Sequence, residues 1–600
     1  MCGFYGAFGK ICKDITFHDQ VLKKVEHRGP DAMASRLGQN FYLGFCRLKI
    51  RDLEGGNQPF HFQSTVGVVN GEIYNLDQLK SQIGKLGQEF LDSNSDTHVL
   101  IAYLAIFGIA AIENVEGMFA GVIFNTTTQI LHIFRDRTGE KPLFFRKREF
   151  IFEVMSENRM LDSSLEHLAY FCDRFLPDHS YSTILKDKSF PQELPPGAFA
   201  EMNILDGELH IERYWKWPLR KLISIPPKNR ELFSAIENSV IQSLDADVPV
   251  ATLLSGGVDS AVIATVYKKF YGGDHESFTF SFPDTDNDES ISASRIAKQI
   301  GLTHSIIQFS YREMAEKLPS VVSCMDTPIL DTSCLPVYLL CERISERYKV
   351  ALGGDGGDEL FMGYRIFDFI PYFKALQNFP GAYELLSWIV KVRAKEKLEA
   401  GVYLPFNALL ERAAVASKIS RETNRDFLSL ALSYTLACPM EHLLFDKQQE
   451  VSKSKISSSS AEKLYRNVIL PRIYLTKIDR MSMAHGLEVR SPFLNSNLVE
   501  LSSRYSIATL YARRDRKFMF RRYLEEQGVQ VPSETKRGFS APFHKIIKWV
   551  EEPDWHRELQ GIGDKSAHLT WIKAMSGDFN CSLAAWSLYS INDFLTKHCP

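Results

Sequence analysis

Over the first two hundred residues, short apolar runs alternate with polar and glycine-containing turns. "TVGVVNGE" (65–72) reads as a strand running into a glycine turn, and "MFAGVIFNTTTQILHIFRDRTGE" (118–140) as two strands joined by a polar turn. A β-rich N-terminal domain follows. Around "QELPPGAFAEM" (192–202) and "RYWKWPLRKLISIPPKNR" (213–230) the pattern gives way to proline and polar residues, which places the domain exit near 200–225. From about 230 onward helical spacings alternate with short buried-strand runs. "VPVATLL" (248–254) is a strand entering "SGGVDS" (255–260), and "AVIATVYKKF" (261–270) then has helical spacing, a strand–glycine loop–helix unit of a parallel α/β domain. "SFTFSF" (277–282) and "KVALGGDGG" (349–357) supply further strands. Beyond about 365 the spacing is mostly helical. There is no internal repeat, and "KSKISSSSAEK" (453–463) reads as a mobile loop.

Composition narrows the class. Six hundred residues are too many for one hydrophobic core and suggest two to four domains. With 45% hydrophobic and 24% charged residues and a net charge of -3, the chain reads as soluble and globular, with no long nucleic-acid surface. "RRDRKFMFRR" (513–522) interleaves basic with apolar residues and reads as a helix rather than a basic tail. The start lacks the basic and apolar regions of a secretory signal, and "YLAIFGIAAI" (103–112) is half a membrane span, so a cytoplasmic location without membrane contact is expected. Ten cysteines without CxxC pairs or metal spacing read as reduced, buried small hydrophobes, Cys2 excepted.

Cys2 directly follows the initiator methionine. Removal of Met1 gives a residue carrying a thiol and a free α-amine, and an amine of pKa roughly 7.7 to 8.0 accepts the thiol proton directly or through water. The second chemical candidate is "SGGVDS". It does not satisfy the G-x-x-x-x-G-K-[ST] phosphate loop, but two glycines between strand and helix let backbone N–H groups curl around an anion at a helix N-terminus. Asp259 is positioned there to ligate a magnesium ion on the same phosphates.

Six ordered segments, "HRGPD" (27–31), "FCRLKIRDLEGGNQP" (45–59), "VNGEIYN" (69–75), "SDTHVL" (95–100), "EGMFAGVIF" (116–124) and "RDRTGEKPLFF" (135–145), resemble the glutaminase domain of class II glutamine amidotransferases, in the branch fused to asparagine synthetases. The resemblance implies that Cys2 attacks the glutamine side-chain amide, that Asn70 and the N–H of Gly71 hold the oxyanion, and that Arg47 pairs with the α-carboxylate. Glu72 and Asp96 receive the α-ammonium, and Leu48 and Ile50 complete the glutamine site. Lys49 departs from the family's usual serine, which leaves the pocket rim less defined.

"MDTPILDTSCLPVYLL" (325–340), "LGGDGGDELFMGY" (352–364), "KIDRMSMAHGLEVRSPFL" (477–494) and "ETKRGFSAPF" (534–543) resemble successive motifs of the asparagine synthetase domain, whose "SGGVDS" loop is the pyrophosphate loop of ATP pyrophosphatases. By that resemblance Leu253, Phe280, Gly353 and Gly354 line the adenosine and ribose site, while Ser255, Gly256, Gly257 and Ser260 belong to the phosphate loop. Asp259 and Asp358 hold Mg²⁺ on the pyrophosphate. Asp355 takes the place of the glutamate linked to acyl-adenylate formation. Lys517 stabilises charge on the adenylate, with Arg516 in that place or a structural role for Lys517 as the alternatives; Tyr364 shapes the acceptor pocket; Arg480 and Arg490 anchor C-terminal helices.

The implied fold is an α+β Ntn-hydrolase-type layered-sheet domain over 2–210, followed over 225–600 by an α/β parallel-sheet ATP-pyrophosphatase domain with a helical C-terminal extension. The implied enzyme takes ammonia from glutamine, uses ATP with Mg²⁺, and amidates a small carboxylate, by default L-aspartate. Rivals are another carboxylate such as a sugar acid or antibiotic precursor, a peptide or β-lactam cyclase, and a non-catalytic scaffold. A homodimer is compatible with the resemblance. The tail after about 550 reads as a packed terminal helix.

Overall fold

The computed structural model describes residues 2–84, 94–148, 150–158, 191–205, 207–220, 229–272, 275–282, 288–326, 331–364, 462–463, 465–510, 516–531 and 541–555, with short pieces between 571 and 596. The N-terminal part is built from twelve strands: β1 (Gly3–Gly9), β2 (Ala32–Leu37), β3 (Phe41–Arg47), β4 (Phe60–Phe62), β5 (Thr65–Ile73), β6 (Gly117–Asn125), β7 (Ile130–Arg135), β8 (Phe144–Arg148), β9 (Ile151–Met155), β10 (Gln192–Glu193), β11 (Ala198–Asn203) and β12 (Leu209–Arg213). They form two antiparallel sheets, ordered β10-β8-β9-β1-β3-β2 and β12-β11-β7-β6-β5-β4.

Alternation decides how the sheets stack. Phe4 and Phe8 of β1 and Phe41, Leu43 and Phe45 of β3 meet Val66 and Val68 of β5 and Val122 and Phe124 of β6 in one core between the sheets. The opposite faces are covered by helices. Tyr5, Ala7, Tyr42 and Cys46 pack with Leu22 of the helix Ile15–Lys23, and Val69 and Ile73 pack with Leu79, Val99 and Leu100 of the helices Leu76–Ile83 and Asp96–Phe107. The result is a four-layer helix–sheet–sheet–helix domain. Asn70 and Glu72 share the β5 face that Val66 and Val68 turn to the core, two and four residues further along the strand, which carries them toward the start of β1.

One sequence reading is corrected here. β5 does not turn at Gly71 but runs through it to Ile73, paired with β6 throughout. Gly71 stands at φ +152°, and a Cβ there would lie 2.0 Å from the Met118 carbonyl oxygen, so the glycine serves close approach of two strands rather than a turn. The apolar run 103–112 is also accounted for: the helix Asp96–Phe107 ends at Gly108, and among the described residues no helix is long and apolar enough to cross a membrane.

The second part has a five-stranded sheet in which every pair is parallel, ordered β15-β14-β13-β16-β17, with β13 (Val250–Leu253), β14 (Glu276–Ser281), β15 (Thr303–Gln308), β16 (Val350–Leu352) and β17 (Glu488–Arg490). Both faces are covered. Val250 and Leu352 join the core of the helices Asn229–Ser243 and Val258–Tyr271, while Ala251 and Val489 join that of Tyr311–Ser323 and Cys334–Ser345. β17 lies within a stretch that reads as helical and closes the sheet edge, between the helices Leu475–Met483 and Ser496–Ser503. The basic run 513–522 enters the helix Phe518–Glu526 as expected, although 511–515 lie outside the described residues. So do 365–461, including most of the serine-rich stretch, and 532–540. Trp571 and Trp586 of the tail are fully buried against the second core.

Candidate active site

Two constellations stand out, one in each part of the chain. At the start of β1 the Cys2 backbone nitrogen donates to Asn70 Oδ1 at 2.8 Å, and the Leu48 N–H donates to Cys2 Sγ at 3.4 Å. Burial pushes the thiol up, opposed in part by that N–H and by the Arg47 charge, so the sulfur needs a base to become nucleophilic. Asn70 Nδ2 and Glu72 Oε2, neighbours on one strand face, are buried and make no hydrogen bond. A donor and an acceptor left open beside a thiol fit a polar substrate, because buried polar atoms are otherwise nearly always satisfied.

Arg47 is buried and held by its own loop. Its Nη1 donates to Asn57 Oδ1 at 3.0 Å, and its Nη2 donates to the carbonyls of Arg51 and Asp52. Asp96 is placed differently from the reading as an ammonium ligand alone. Its two oxygens accept the N–H groups of Ile73 and Thr97, each at 2.8 Å, so it also clamps the end of β5 to the helix that it begins. Lys49 uses its backbone N–H on Asp31, at the outer edge of the site. Gly71→Ala is expected to lower the melting temperature, at a cost of about 2 kcal/mol from backbone strain and overpacking, and to slow glutamine hydrolysis at least ~10-fold; thermal unfolding and glutamate release measure the two.

The second constellation lies where paired β13 and β16 end side by side. Their carboxyl ends lead into Leu253–Gly257 and Gly353–Gly357, the position where ligands bind in open parallel sheets. In the first loop Ser260 Oγ accepts from the Ser255 N–H at 3.0 Å, and Ser255 Oγ accepts from the Gly257 N–H at 3.1 Å, fixing the turn into the helix Val258–Tyr271. Gly256 lies in the same turn, and Gly354 packs against the Asp259 backbone and Cβ. Leu253 is half-buried, and the Phe280 ring is committed to the core against Phe282 and Phe309, so Phe280 offers a ligand only its backbone.

Lys517 occupies this centre. It is buried at φ +60°, a conformation uncommon for a residue with a side chain, and its ammonium lies between the carboxylates of Asp259 and Asp358, 2.5 Å from Asp358 Oδ1. Gly363 makes room for this group, since a Cβ there would fall 1.7 Å from Asp358 Oδ1 and 2.2 Å from Lys517 Cε. Two carboxylates already sharing one cation are a donor set suited to magnesium, which takes one or two protein carboxylates and completes its shell with phosphate oxygens and water. Beside them, Glu359 is pushed up to about 7 by burial and the neighbouring Asp358 charge, and accepts the Tyr364 hydroxyl at 2.5 Å. Asp355 lies in the loop that follows β16. Its charge raises Glu140, brought to about 8 mainly by burial and Asp136, and it also reinforces the Lys477 ammonium.

Family profiles agree with this division. That of the asparagine synthase family, described as "Asparagine synthase", matches residues 231–570, more than half of the chain. The chain belongs to the asparagine synthase family. A glutamine amidotransferase domain profile matches residues 1–215. Among curated relatives, "Asparagine synthetase [glutamine-hydrolyzing] 1" of Bacillus subtilis (strain 168) is 28% identical over 93% of this chain and 90% of its own length. "Asparagine synthetase B [glutamine-hydrolyzing]" of Escherichia coli (strain K12) is 28% identical over 63% of this chain and 67% of its own, and "Amidase chyE" of Penicillium rubens is 27% identical over 80% and 76%. The molecule is accordingly an asparagine synthase-type glutamine amidotransferase ligase, whose two domains fit glutamine and ATP as substrates.

The sequence reading missed how this family member joins its two centres. Arg28 of "HRGPD" is fully buried, donates to the Cys2 carbonyl at 3.1 Å, and forms a paired contact with Asp479 of the synthetase part at 2.8 and 2.9 Å. Arg480 does anchor locally, to Asp326 and Asp479. Arg490 does not anchor a C-terminal helix: it lies on β17, donates to the carbonyl of Ser243 at the end of the helix Asn229–Ser243, and reaches Glu72 across the domain boundary at 3.2 Å. Cys2, Leu48 and Ile50 share one apolar cluster with Leu254, Val258, Met483 and Phe493. The signal available in the sequence was a pair of unassigned opposite charges in two separate motifs.

Proposed function

We propose that the protein is a glutamine-hydrolysing asparagine synthetase that makes L-asparagine from L-aspartate. The observation that carries the glutamine half is the open Asn70 amide nitrogen and Glu72 carboxylate oxygen beside the Cys2 thiol. With Met1 removed, the Cys2 α-amine takes the thiol proton, and sulfur attacks the side-chain carbonyl of glutamine. Asn70 Nδ2 and the Gly71 N–H stabilise the oxyanion. Collapse breaks the C–N bond, the leaving nitrogen takes the proton, and ammonia departs from a thioester that water then hydrolyses to glutamate. Arg47 holds the α-carboxylate, while Glu72 and Asp96 receive the α-ammonium, with Leu48 and Ile50 beside them. Burial and the Asp96 charge push Glu72 well above the usual carboxylate range, against the pull of Arg490, and an arriving ammonium favours its charged form.

In the second centre a carboxylate oxygen of aspartate attacks the α-phosphorus of ATP and pyrophosphate leaves; ammonia then attacks the acyl carbon and AMP leaves. Asp259 and Asp358 would hold Mg²⁺, which when bound offsets the polyphosphate charge. Lys517 supplies a fixed positive charge at the same place, the Leu253–Ser260 and Gly353–Gly354 segments cradle the nucleotide, and Asp355 faces the adenylate step. The apolar cluster shared by Cys2, Leu48, Ile50 and Phe493 supports an internal route for ammonia, which in neutral water would mostly become non-nucleophilic ammonium. A different carboxylate acceptor is the second reading, favoured by the similarity to a relative named as an amidase. Incubation with ATP, Mg²⁺, amide-¹⁵N glutamine and L-aspartate separates them by mass spectrometry. The expected result is ¹⁵N-asparagine, AMP and pyrophosphate; glutamate formation with unchanged aspartate would reject the acceptor.

A further inference from the structure

The glutamine pocket is not closed by the glutaminase domain alone. Arg490 is fully buried on β17, the edge strand of the synthetase sheet, and its Nε, Nη1 and backbone carbonyl are all hydrogen-bonded. Nε donates to Glu488 Oε1 at 2.6 Å, and Nη1 donates to the carbonyls of Ser243 at 3.0 Å and Asp245 at 2.8 Å. Its own carbonyl accepts the Gly353 N–H at 2.9 Å. So fixed, the guanidinium brings Nη2 to 3.2 Å from Glu72 Oε1 as an ion pair; Nη2 itself makes no hydrogen bond, and Glu72 Oε2 is likewise buried without one, on the strand face it shares with Asn70.

The segment that orients Arg490 also grips the opposite end of the pocket. Arg51 pairs with Asp245 at 2.9 Å, the Asp52 N–H donates to Asp247 Oδ2 at 2.7 Å, and the Asp247 N–H donates to the Ile50 carbonyl at 3.0 Å. The carbonyls of Arg51 and Asp52 are the ones that hold Arg47. Both charged ends of the glutamine site are thereby referenced to residues 243–247 and 490 of the other domain.

We propose that Arg490 is a positioning residue of the glutamine site, contributed by the synthetase domain, which holds one oxygen of Glu72 so that the other is aimed at the substrate α-ammonium. This rests on the glutamine-site reading above and assigns the synthetase domain a part in selecting the nitrogen donor. A guanidinium fits the task because its planar fork serves Glu72, Glu488 and two carbonyls from one rigid group, which a lysine ammonium cannot match.

The test compares glutamine with glutaramate, the same amide without the α-amino group, as substrates for hydrolysis by the full-length enzyme. A site built to bind a polar group discriminates strongly against an analogue that lacks it. Wild-type enzyme is expected to prefer glutamine by kcat/KM. Arg490→Gln is expected to reduce that preference about tenfold or more, chiefly through the KM for glutamine, and Arg490→Lys to restore part of it. Structural damage lowers hydrolysis of both substrates together, so an unchanged preference in a folded Arg490→Gln or Arg490→Lys protein overturns the proposal. If Arg490→Gln does not fold, the preference measured in Arg490→Lys decides: a full wild-type value rejects the assignment, and a reduced one supports it. Glu72→Gln is the reference. Should it leave the preference intact, Glu72 is not the ammonium partner and the glutamine-site reading fails instead; absence of glutamine hydrolysis by the wild-type enzyme fails that reading outright.

Discussion

Cys2→Ala is expected to abolish glutamine-dependent asparagine formation, by at least ~10³-fold, while synthesis from added ammonia persists within about twofold. The asymmetry follows from where the thiol sits. It is the nucleophile of the first half-reaction, whereas Asp259, Asp358 and Lys517 belong to the second centre. The variant keeps the Cys2 backbone contacts to Asn70 and Arg28, both made by main-chain atoms, so the seam between domains is retained. Melting temperature should shift little, since only a partly buried sulfur is lost. Product assay with glutamine and with ammonium chloride, side by side, reads both halves; loss of the ammonia-dependent reaction would mean that the centres are not separable.

The parts of the molecule that were legible in the sequence are those encoded by neighbouring residues. Val66, Val68 and Asn70 alternate along one strand, so the position of Asn70 relative to the core could be read from spacing. "VPVATLLSGGVDS" gave strand, loop and helix in order. What was not legible depends on distant partners. Arg28 and Asp479 are 451 positions apart, and no periodicity links them. Gly71 suggested a turn because glycine is most often used for one, whereas here a neighbouring strand's carbonyl occupies the space of a Cβ. β17 is three residues long, too short for alternation to register, and its residues are buried on both faces. Arg490 consequently had the features of a helix anchor, and its contact with Glu72 emerged only from the parallel pairing of β17 with β16.

Lys517→Ala is expected to reduce synthesis from both glutamine and ammonia by ~10²–10³-fold while glutamine hydrolysis to glutamate continues. The lysine places a positive charge between Asp259 and Asp358, and without it the two carboxylates lose that shared cation. Loss of the competing ammonium leaves the two carboxylates a stronger site for a divalent ion, so the Mg²⁺ concentration giving half-maximal pyrophosphate release should decrease. Lys517→Arg keeps the charge, but its planar, bulkier head meets the space that Gly363 leaves for a single ammonium, and its recovery should be partial. The comparison separates charge from shape. Equal loss in the alanine and arginine variants would make the compact geometry decisive, whereas full rescue by arginine would make the charge sufficient. Retention of normal synthesis by Lys517→Ala would remove Lys517 from the adenylation centre and reduce it to a structural clamp on the two aspartates. The left-handed backbone at Lys517 adds a second expectation. Lys517→Gly relieves the conformational cost of φ +60° but deletes the cation, so it should match Lys517→Ala in lost synthesis while exceeding it in thermal stability.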